Sequence, residues 1–210
     1  MERDAPVASV PVKFLALGDS YTFGEGVDPS DRWPVQLAAA MRARGIAIAQ
    51  PHIIAKSGWS TDELLAAIDD EVAHGEVDPP YALASLQIGV NDQYRGGDAE
   101  AYRAEFRAML ARAAGFAGGD ARRVVVVSIP DWGVTPFAQS AGRDRGQVSR
   151  QIDQYNAAAE SACRLRGVYW VDITDLTRHR DHSHWLVADG LHPSADMYRK
   201  WVERINRVLP

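Results

Sequence analysis

The chain has 210 residues, of which 46% are hydrophobic and 24% charged, and its formal net charge is -5. This composition is typical of one sizeable globular domain, and the acidic balance argues against a nucleic-acid-binding surface. No apolar stretch approaches the roughly 20 residues of a membrane span. Residues 1–11 lack the basic and then apolar pattern of a signal peptide, so we expect a cytoplasmic protein, although an already removed leader would leave no trace. The single cysteine, Cys163, excludes an intrachain disulfide and is predicted to be buried in a helix.

Residues 1–11 are predicted to be a polar lead-in, and residues 12–210 to form one domain. Apolar runs predict strands, and helical periodicity predicts helices between them. The strands are expected at 12–17, His52–Ala55, Tyr81–Ile88, Arg123–Ile129 and Val168–Ile173. The helices are expected at Trp33–Met41, 61–74, Ala99–Ala114, Ser149–Leu165 and after Ser194, with 130–147 as a long loop. This alternation predicts a three-layer α/β/α sandwich around a mainly parallel five-stranded sheet.

Local signals refine three of these helices. Asp31 is a candidate N-cap of the first helix, and Ser60 with Glu63 forms a capping-box pattern for the second. The apolar stripe of the last helix is predicted to comprise Met197, Trp201, Ile205 and Val208.

Unusual polar or glycine residues follow several predicted strands. Ser20 follows the first strand, Gly58 the second and Asn91 the third, while Asp189 and His192 come just before the last helix. Right-handed crossovers place the carboxyl ends of parallel strands on one edge, so these residues are expected to meet there. Acyl transfer requires such a set: a nucleophilic hydroxyl, a base, an acid that orients it, and oxyanion donors.

Four sequence blocks resemble those of the SGNH hydrolases, also called the GDSL family. They are Gly18-Asp19-Ser20-Tyr21, Gly58, Gly89-Val90-Asn91-Asp92 and Asp189-Gly190-Leu191-His192-Pro193, in the family's order. The resemblance runs from residue 14 to residue 198 and implies a flavodoxin-like sheet. It also implies an esterase, thioesterase, lysophospholipase or carbohydrate deacetylase activity. One departure is Tyr21-Thr22, where leucine or isoleucine is also common in the family; this bears on pocket shape.

The resemblance implies a role for each of these residues. Ser20 would be the nucleophile, His192 its general base, and Asp189 the acid that orients the imidazole. The oxyanion would be bound by the N–H groups of Ser20 and Gly58 and by the side-chain amide of Asn91. Asp19 would be a turn residue bonded to nearby backbone, and Asp92 a supporting residue. No metal and no organic cofactor would be needed.

Aromatic and charged residues are predicted in the loops of the same edge. Trp59, Tyr94 and Trp132 are candidate substrate-binding residues, and Phe137 and Trp185 lie in similar loops. Glu25 and Arg95 either hold the conformation of a loop or contact the substrate, and the sequence does not separate these two roles.

The other histidines are weaker candidates for the base. His52 is expected at the start of a strand, on the wrong edge, and His74 at the end of a surface helix. His179, His182 and His184 share a loop with Asp175 and Asp181, where a solvated loop is favoured over a metal site because the spacing fits no strong zinc pattern. Asp172 and Asp175 are alternative acids, but neither has a histidine three residues on.

The function predicted from these residues is hydrolysis of short- to medium-chain carboxylic esters, through an acyl-enzyme formed on a Ser-His-Asp triad. Its partner is a small-molecule ester, not a nucleic acid. A thioesterase, a lysophospholipase and a carbohydrate deacetylase remain alternatives on the same site. A non-catalytic flavodoxin-like module that binds a phosphate or nucleotide at Gly18–Gly24 is a fourth, but it leaves Asn91, Asp189 and His192 without a role.

Overall fold

Each strand in the structure coincides with one of the apolar runs of the sequence. The computed structural model describes residues 10–179 and 183–210. Within these residues five strands form one parallel sheet, in the order β2-β1-β3-β4-β5. The strands are β1 (Phe14–Gly18), β2 (His52–Ala55), β3 (Leu83–Gln87), β4 (Val124–Val127) and β5 (Tyr169–Val171). All residues of β1, β3 and β4 are buried, as expected for parallel strands covered on both faces.

Helices cover both faces of this sheet, which confirms the predicted α/β/α architecture. α2 packs against α9, and α5 packs against α3 and α7. The strand order has the flavodoxin-like topology, in which ligands bind beyond the carboxyl ends of the strands. The helices are α1 (Ser20–Phe23), α2 (Trp33–Ala43), α3 (Thr61–Ala73), α4 (Val90–Tyr94), α5 (Ala99–Phe116), α6 (Pro136–Ser140), α7 (Arg145–Arg166), α8 (Thr174–Thr177) and α9 (Ala195–Val208).

Several local predictions are confirmed by side-chain contacts. The Glu63 carboxylate accepts a bond from the Ser60 N–H at 2.8 Å, completing the capping box of α3. Cys163 is buried in α7. Met197, Trp201 and Ile205 of α9 are fully buried.

The structure corrects three predictions. Arg32, and not Asp31, is the N-cap of α2, because Asp31 belongs to a preceding 3₁₀ turn. Val208, the last residue of α9, is exposed, and the residue after it, Leu209, is buried in the core instead. The predicted loop at 130–147 contains α6 and the first turn of α7. Thr135 caps α6 through its side chain, and Asp144 caps α7 in the same way.

None of the helices in the described residues has both the length and the apolar character needed to cross a membrane.

Candidate active site

Ser20 lies at the junction between β1 and the single helical turn α1. Gly18 ends the strand where a Cβ would lie 2.6 Å from the Gln87 carbonyl oxygen of the neighbouring strand, so a side chain does not fit. Asp19 is the N-cap, and its Oδ1 accepts the Tyr21 N–H at 3.0 Å. This confirms the sequence interpretation of Asp19 as a turn residue. Ser20, as the first residue of α1, is thereby held beyond the carboxyl end of the sheet.

Asp189 and His192 are brought to Ser20 by a tight turn before α9. Asp189 Oδ1 accepts the backbone N–H groups of Leu191 at 2.8 Å and His192 at 3.0 Å, which leaves Oδ2 facing the imidazole. Asp189 Oδ2 lies 2.6 Å from His192 Nδ1, and His192 Nε2 lies 2.9 Å from Ser20 Oγ. A continuous chain therefore runs from carboxylate to imidazole to hydroxyl. An imidazole with its proton on Nδ1 donates to Asp189 and accepts from Ser20.

The electrostatics of the two aspartates near Ser20 are opposite. Burial acts to raise the pKa of Asp189, but the bonds from His192 and from the backbone outweigh it and hold the pKa below its usual value. Asp189 is therefore ionised at neutral pH. Burial raises the pKa of Asp19 to about 7, with the charge of Asp92 adding to the effect. Asp19 is thus the carboxyl group that is partly protonated near neutral pH.

Gly58 and Asn91 lie on two neighbouring segments that the structure ties together. Asn91, in α4, donates through Nδ2 to the Trp59 carbonyl oxygen at 2.9 Å. A primary amide carries two N–H donors, so the second remains available to a ligand. The Asp92 carboxylate accepts from the Thr61 N–H at 3.1 Å, which fixes the start of α3 to α4.

A cavity of about 470 Å³ opens beside Ser20. Tyr94 and Trp132 line it, as predicted, and Phe137 completes an aromatic wall in which the Tyr94 and Trp132 rings lie edge to face at 5.3 Å. Trp59, the third predicted substrate-binding residue, is not in the lining; it packs against the core. The residues around the cavity are Ser20, Tyr21, Glu25, Ser57, Gly58, Val90, Asn91, Tyr94, Trp132, Phe137, Asp189, Leu191 and His192.

Two contacts around this site were not predicted from the sequence. The buried Trp132 donates its indole N–H to Gln93 Oε1 at 2.8 Å, and Gln93 Nε2 donates to Gln151 Oε1 at 2.8 Å. The Tyr21 ring lies 5.5 Å from the His192 imidazole, with the two ring planes tilted by 55°. A glutamine in a short helix carries no sequence signal for such a contact, whereas Tyr21 had already been singled out as a departure from the family pattern.

The rival residues are engaged elsewhere. His52 lies at the start of β2 beside Glu71, and the exposed His74 contacts the Asp70 carbonyl. The His179 ring stacks on Trp185, and the His184 ring contacts Trp185 edge to face. Trp185 itself is not among the residues that line the cavity. Asp181 and His182 lie outside the described residues.

The two alternative acids, Asp172 and Asp175, also contact other residues. Asp172 accepts from the Ser128 hydroxyl at 2.9 Å, and Asp175 pairs with Arg204. Among residues 10–179 and 183–210, no three histidine, cysteine or acidic side chains are grouped so as to hold a metal ion.

An aspartate in contact with a histidine that in turn contacts a serine, at the carboxyl edge of a parallel α/β sheet, is typical of serine hydrolases. The sequence matches the model of the GDSL-like lipase/acylhydrolase family over residues 16–200. The chain belongs to this family and is a hydrolase acting on ester bonds, which confirms the resemblance found in the four motifs. No curated protein sequence matches the chain at a significant level.

Solved structures of similar fold include esterases and acylhydrolases. TesA is 19% identical and superposes with a TM-score of 0.71, covering 94% of this chain and 97% of its own. The lipase/acylhydrolase from Enterococcus faecalis is 20% identical, with a TM-score of 0.70 and coverage of 93% and 94%. A variant of the acetyl xylan esterase Axe2 from Geobacillus stearothermophilus is 17% identical, with a TM-score of 0.71 and coverage of 95% of each chain. At these identities the likeness establishes the fold alone.

Proposed function

We propose that this protein is a serine carboxylesterase that hydrolyses short- to medium-chain acyl esters through a covalent acyl-enzyme. The observation that carries the proposal is the continuous chain from Asp189 Oδ2 through His192 to Ser20 Oγ, with contacts of 2.6 Å and 2.9 Å, at the wall of the cavity. An unassisted serine hydroxyl is almost fully protonated at neutral pH, so it requires an adjacent base, and His192 is in contact with it.

In the proposed reaction, Ser20 Oγ attacks the ester carbonyl carbon while His192 Nε2 takes the hydroxyl proton. The oxyanion that forms accepts hydrogen bonds from the N–H groups of Ser20 and Gly58 and from the Asn91 amide. The C–O bond to the alcohol then breaks, and His192 returns the proton to the leaving alkoxide. Water, deprotonated by His192, attacks the carbonyl carbon of the acyl-enzyme. The bond from that carbon to Ser20 Oγ then breaks, His192 returns the proton to Ser20, and the acid is released. Asp189 stabilises the imidazolium in both halves of the reaction.

The preference for acyl chains of short to medium length is supported by the cavity. Tyr94, Trp132 and Phe137 form an apolar wall next to the nucleophile, within a volume of about 470 Å³. Such a wall favours an apolar acyl group over a polar one, and the volume of the cavity limits the length of the acyl chain.

The experiment is covalent labelling and hydrolysis with matched variants. A fluorophosphonate should label Ser20 in the parent protein, and Ser20→Ala should abolish both labelling and hydrolysis of p-nitrophenyl acetate. Ser140→Ala removes an exposed hydroxyl on α6 and should keep both. Full activity of Ser20→Ala would overturn the proposal. The panel should extend over acyl chain length and include thioesters and acetylated xylo-oligosaccharides, the latter because a similarly folded protein is an acetyl xylan esterase.

A further inference from the structure

We propose that Glu25 and Arg95 are positioning residues that clamp the turn bearing Gly58 from its two sides and so fix the direction of the Gly58 N–H. This inference rests on the proposed function, in which that N–H is an oxyanion donor. It also resolves the two roles that the sequence leaves open for Glu25 and Arg95, in favour of holding a loop.

The turn spans residues 56–59 and has the dihedral signature of type II. The Trp59 N–H donates to the Lys56 carbonyl at 3.3 Å, closing four residues. Gly58, in the third position, has a φ of +87°, whereas Ser57, in the second, does not have a positive φ. A positive φ at the third position alone defines type II and favours glycine there. A Cβ on Gly58 would meet no atom within 4 Å, so there is room for a side chain at this position. Glycine is favoured there because of the positive φ.

The direction of the Gly58 N–H depends on which turn type forms. This N–H belongs to the central peptide of the turn, between Ser57 and Gly58. A change from type II to type I rotates that peptide by roughly 150–170°, because the two flanking dihedrals change by these amounts. The same four residues closed by the same bond can thus aim the N–H in two nearly opposite directions. An oxyanion donor is useful in only one of them.

Side chains from two other segments hold the two residues that flank this central peptide. On one side the Ser57 hydroxyl donates to the Glu25 carboxylate. Glu25 is itself fixed to the nucleophile segment, since its N–H donates to the Ser20 carbonyl at 3.1 Å. Ser57, just before the peptide, is thereby tied to the turn that carries Ser20.

On the other side Arg95 holds the residue after the peptide. Arg95 Nη2 donates to the Gly58 carbonyl at 2.7 Å, and the same guanidinium pairs with Glu63 at 3.0 Å. Arg95 follows α4, and its N–H donates to the Asn91 carbonyl at 3.0 Å. Gly58 is therefore tied to the segment that supplies the other proposed donor, Asn91. Both clamp contacts depend on side chains at the surface, so they add little to the stability of the fold.

Kinetics of single variants test the clamp. Arg95→Ala and Glu25→Ala should each lower kcat about 10- to 100-fold for p-nitrophenyl acetate with little change in KM, because a misdirected donor weakens the transition state and not substrate binding. Arg95→Lys and Glu25→Gln, which keep a donor and an acceptor, should recover part of kcat. The matched control is Arg112→Ala, which removes another exposed, ion-paired arginine, bound to Asp69, and should leave kcat unchanged.

Two further readouts separate positioning from a general structural effect. Affinity for a trifluoromethyl ketone, which forms a tetrahedral oxyanion on the serine, should fall in parallel with kcat, while the thermal unfolding midpoint stays near that of the parent. Ser57→Ala should reproduce Glu25→Ala, and the double variant should be no worse than either, since both remove one bond. Added guanidinium ion should restore activity to Arg95→Ala and not affect Arg112→Ala.

The clamp is overturned if Arg95→Ala and Glu25→Ala keep kcat within about twofold of the parent, or if their loss is confined to KM. Should the alanine variants of Arg95 and Glu25 fail to fold, Ser57→Ala, which removes the contact with Glu25, takes their place, and a kcat within about twofold of the parent then overturns the clamp. Failure of the proposed function looks different, because then Ser20→Ala itself retains activity. If Ser20→Ala is inactive and the clamp variants are not, only the clamp is refuted.

Discussion

The buried carboxyl group of Asp19 should make the stability of this protein fall as the pH rises towards neutrality. Its side chain is 1% exposed, and its pKa is raised from 3.8 to about 7, first by burial and then by the charge of Asp92. In the unfolded chain the same group ionises near its ordinary value. Between these two pKa values the folded protein binds more protons than the unfolded chain, so stability decreases with increasing pH.

The size of this effect follows from the shift. One pKa unit corresponds to about 1.4 kcal/mol, so a shift from 3.8 to about 7 amounts to about 4 kcal/mol of unfolding free energy. The contribution is fully present below pH 4, declines from there to pH 7 and is constant above. Asp19→Asn keeps an oxygen that accepts the Tyr21 N–H but removes the ionisation. Its stability relative to the parent should therefore rise by up to about 4 kcal/mol between pH 4 and pH 8.

Urea unfolding at a series of pH values measures this difference directly. The matched control is Asp28→Asn, which makes the same chemical change on an exposed side chain of the following loop and should leave the pH dependence as it is. Parallel stability curves for the parent and Asp19→Asn from pH 4 to pH 8 would refute the reasoning. They would mean that the carboxyl group of Asp19 titrates alike in the folded and unfolded states.

Three further outcomes are expected. Asp189→Asn should lower kcat by about 10²–10⁴, since an amide does not stabilise the imidazolium, and a variant with most of its activity would contradict the role of Asp189. Trp132→Phe should cost about 1–3 kcal/mol in urea unfolding, because the buried Gln93 Oε1 loses its donor; an unchanged stability would show that this bond contributes nothing. Burial raises the pKa of the Cys163 thiol to about 12, so iodoacetamide at pH 8 should modify it only after unfolding, and rapid labelling of the folded protein would show that the thiol is accessible.

The sheet was predictable because its strands are marked by continuous apolar runs, as expected for strands that are buried on both faces. β4 is four consecutive valines, and every one of them is buried. The short helices were not predictable by the same means. α1, α4, α6 and α8 have four or five residues each, too few for a periodic pattern, and each is set by a cap or by a neighbouring strand end. The predicted strands also extend too far, to Ile88 and Ile129, whereas β3 ends at Gln87 and β4 at Val127. Both isoleucines are buried although they lie beyond the strand ends, so hydrophobicity does not mark where the strands stop.

In the candidate site, too, residues within local motifs were predictable and residues in loops were not. Ser20, Asp189 and His192 were found because each belongs to a contiguous motif whose local turn presents its side chain. The Asp189 turn is an example: its carboxylate bonds to the N–H groups two and three residues on, so the spacing alone fixes the geometry. Trp59 was predicted to line the cavity because it lies in a loop at this edge. A position in a loop does not determine the direction of the side chain, and the Trp59 ring packs against the core.

The direction of a loop residue depends on contacts that are distant in sequence, and the turn at residues 56–59 shows why. Gly58 is held from one side by Arg95, 37 positions on, and Ser57 from the other by Glu25, 32 positions back. Neither spacing has a period or a motif, and each bond forms only because strand order brings β1, β2 and β3 side by side. The strand order that brings Ser20 and His192 to one edge therefore also brings Glu25 and Arg95 to the two sides of the turn at Gly58. The role proposed for Glu25 and Arg95 can consequently be inferred only once the three strand ends are seen together.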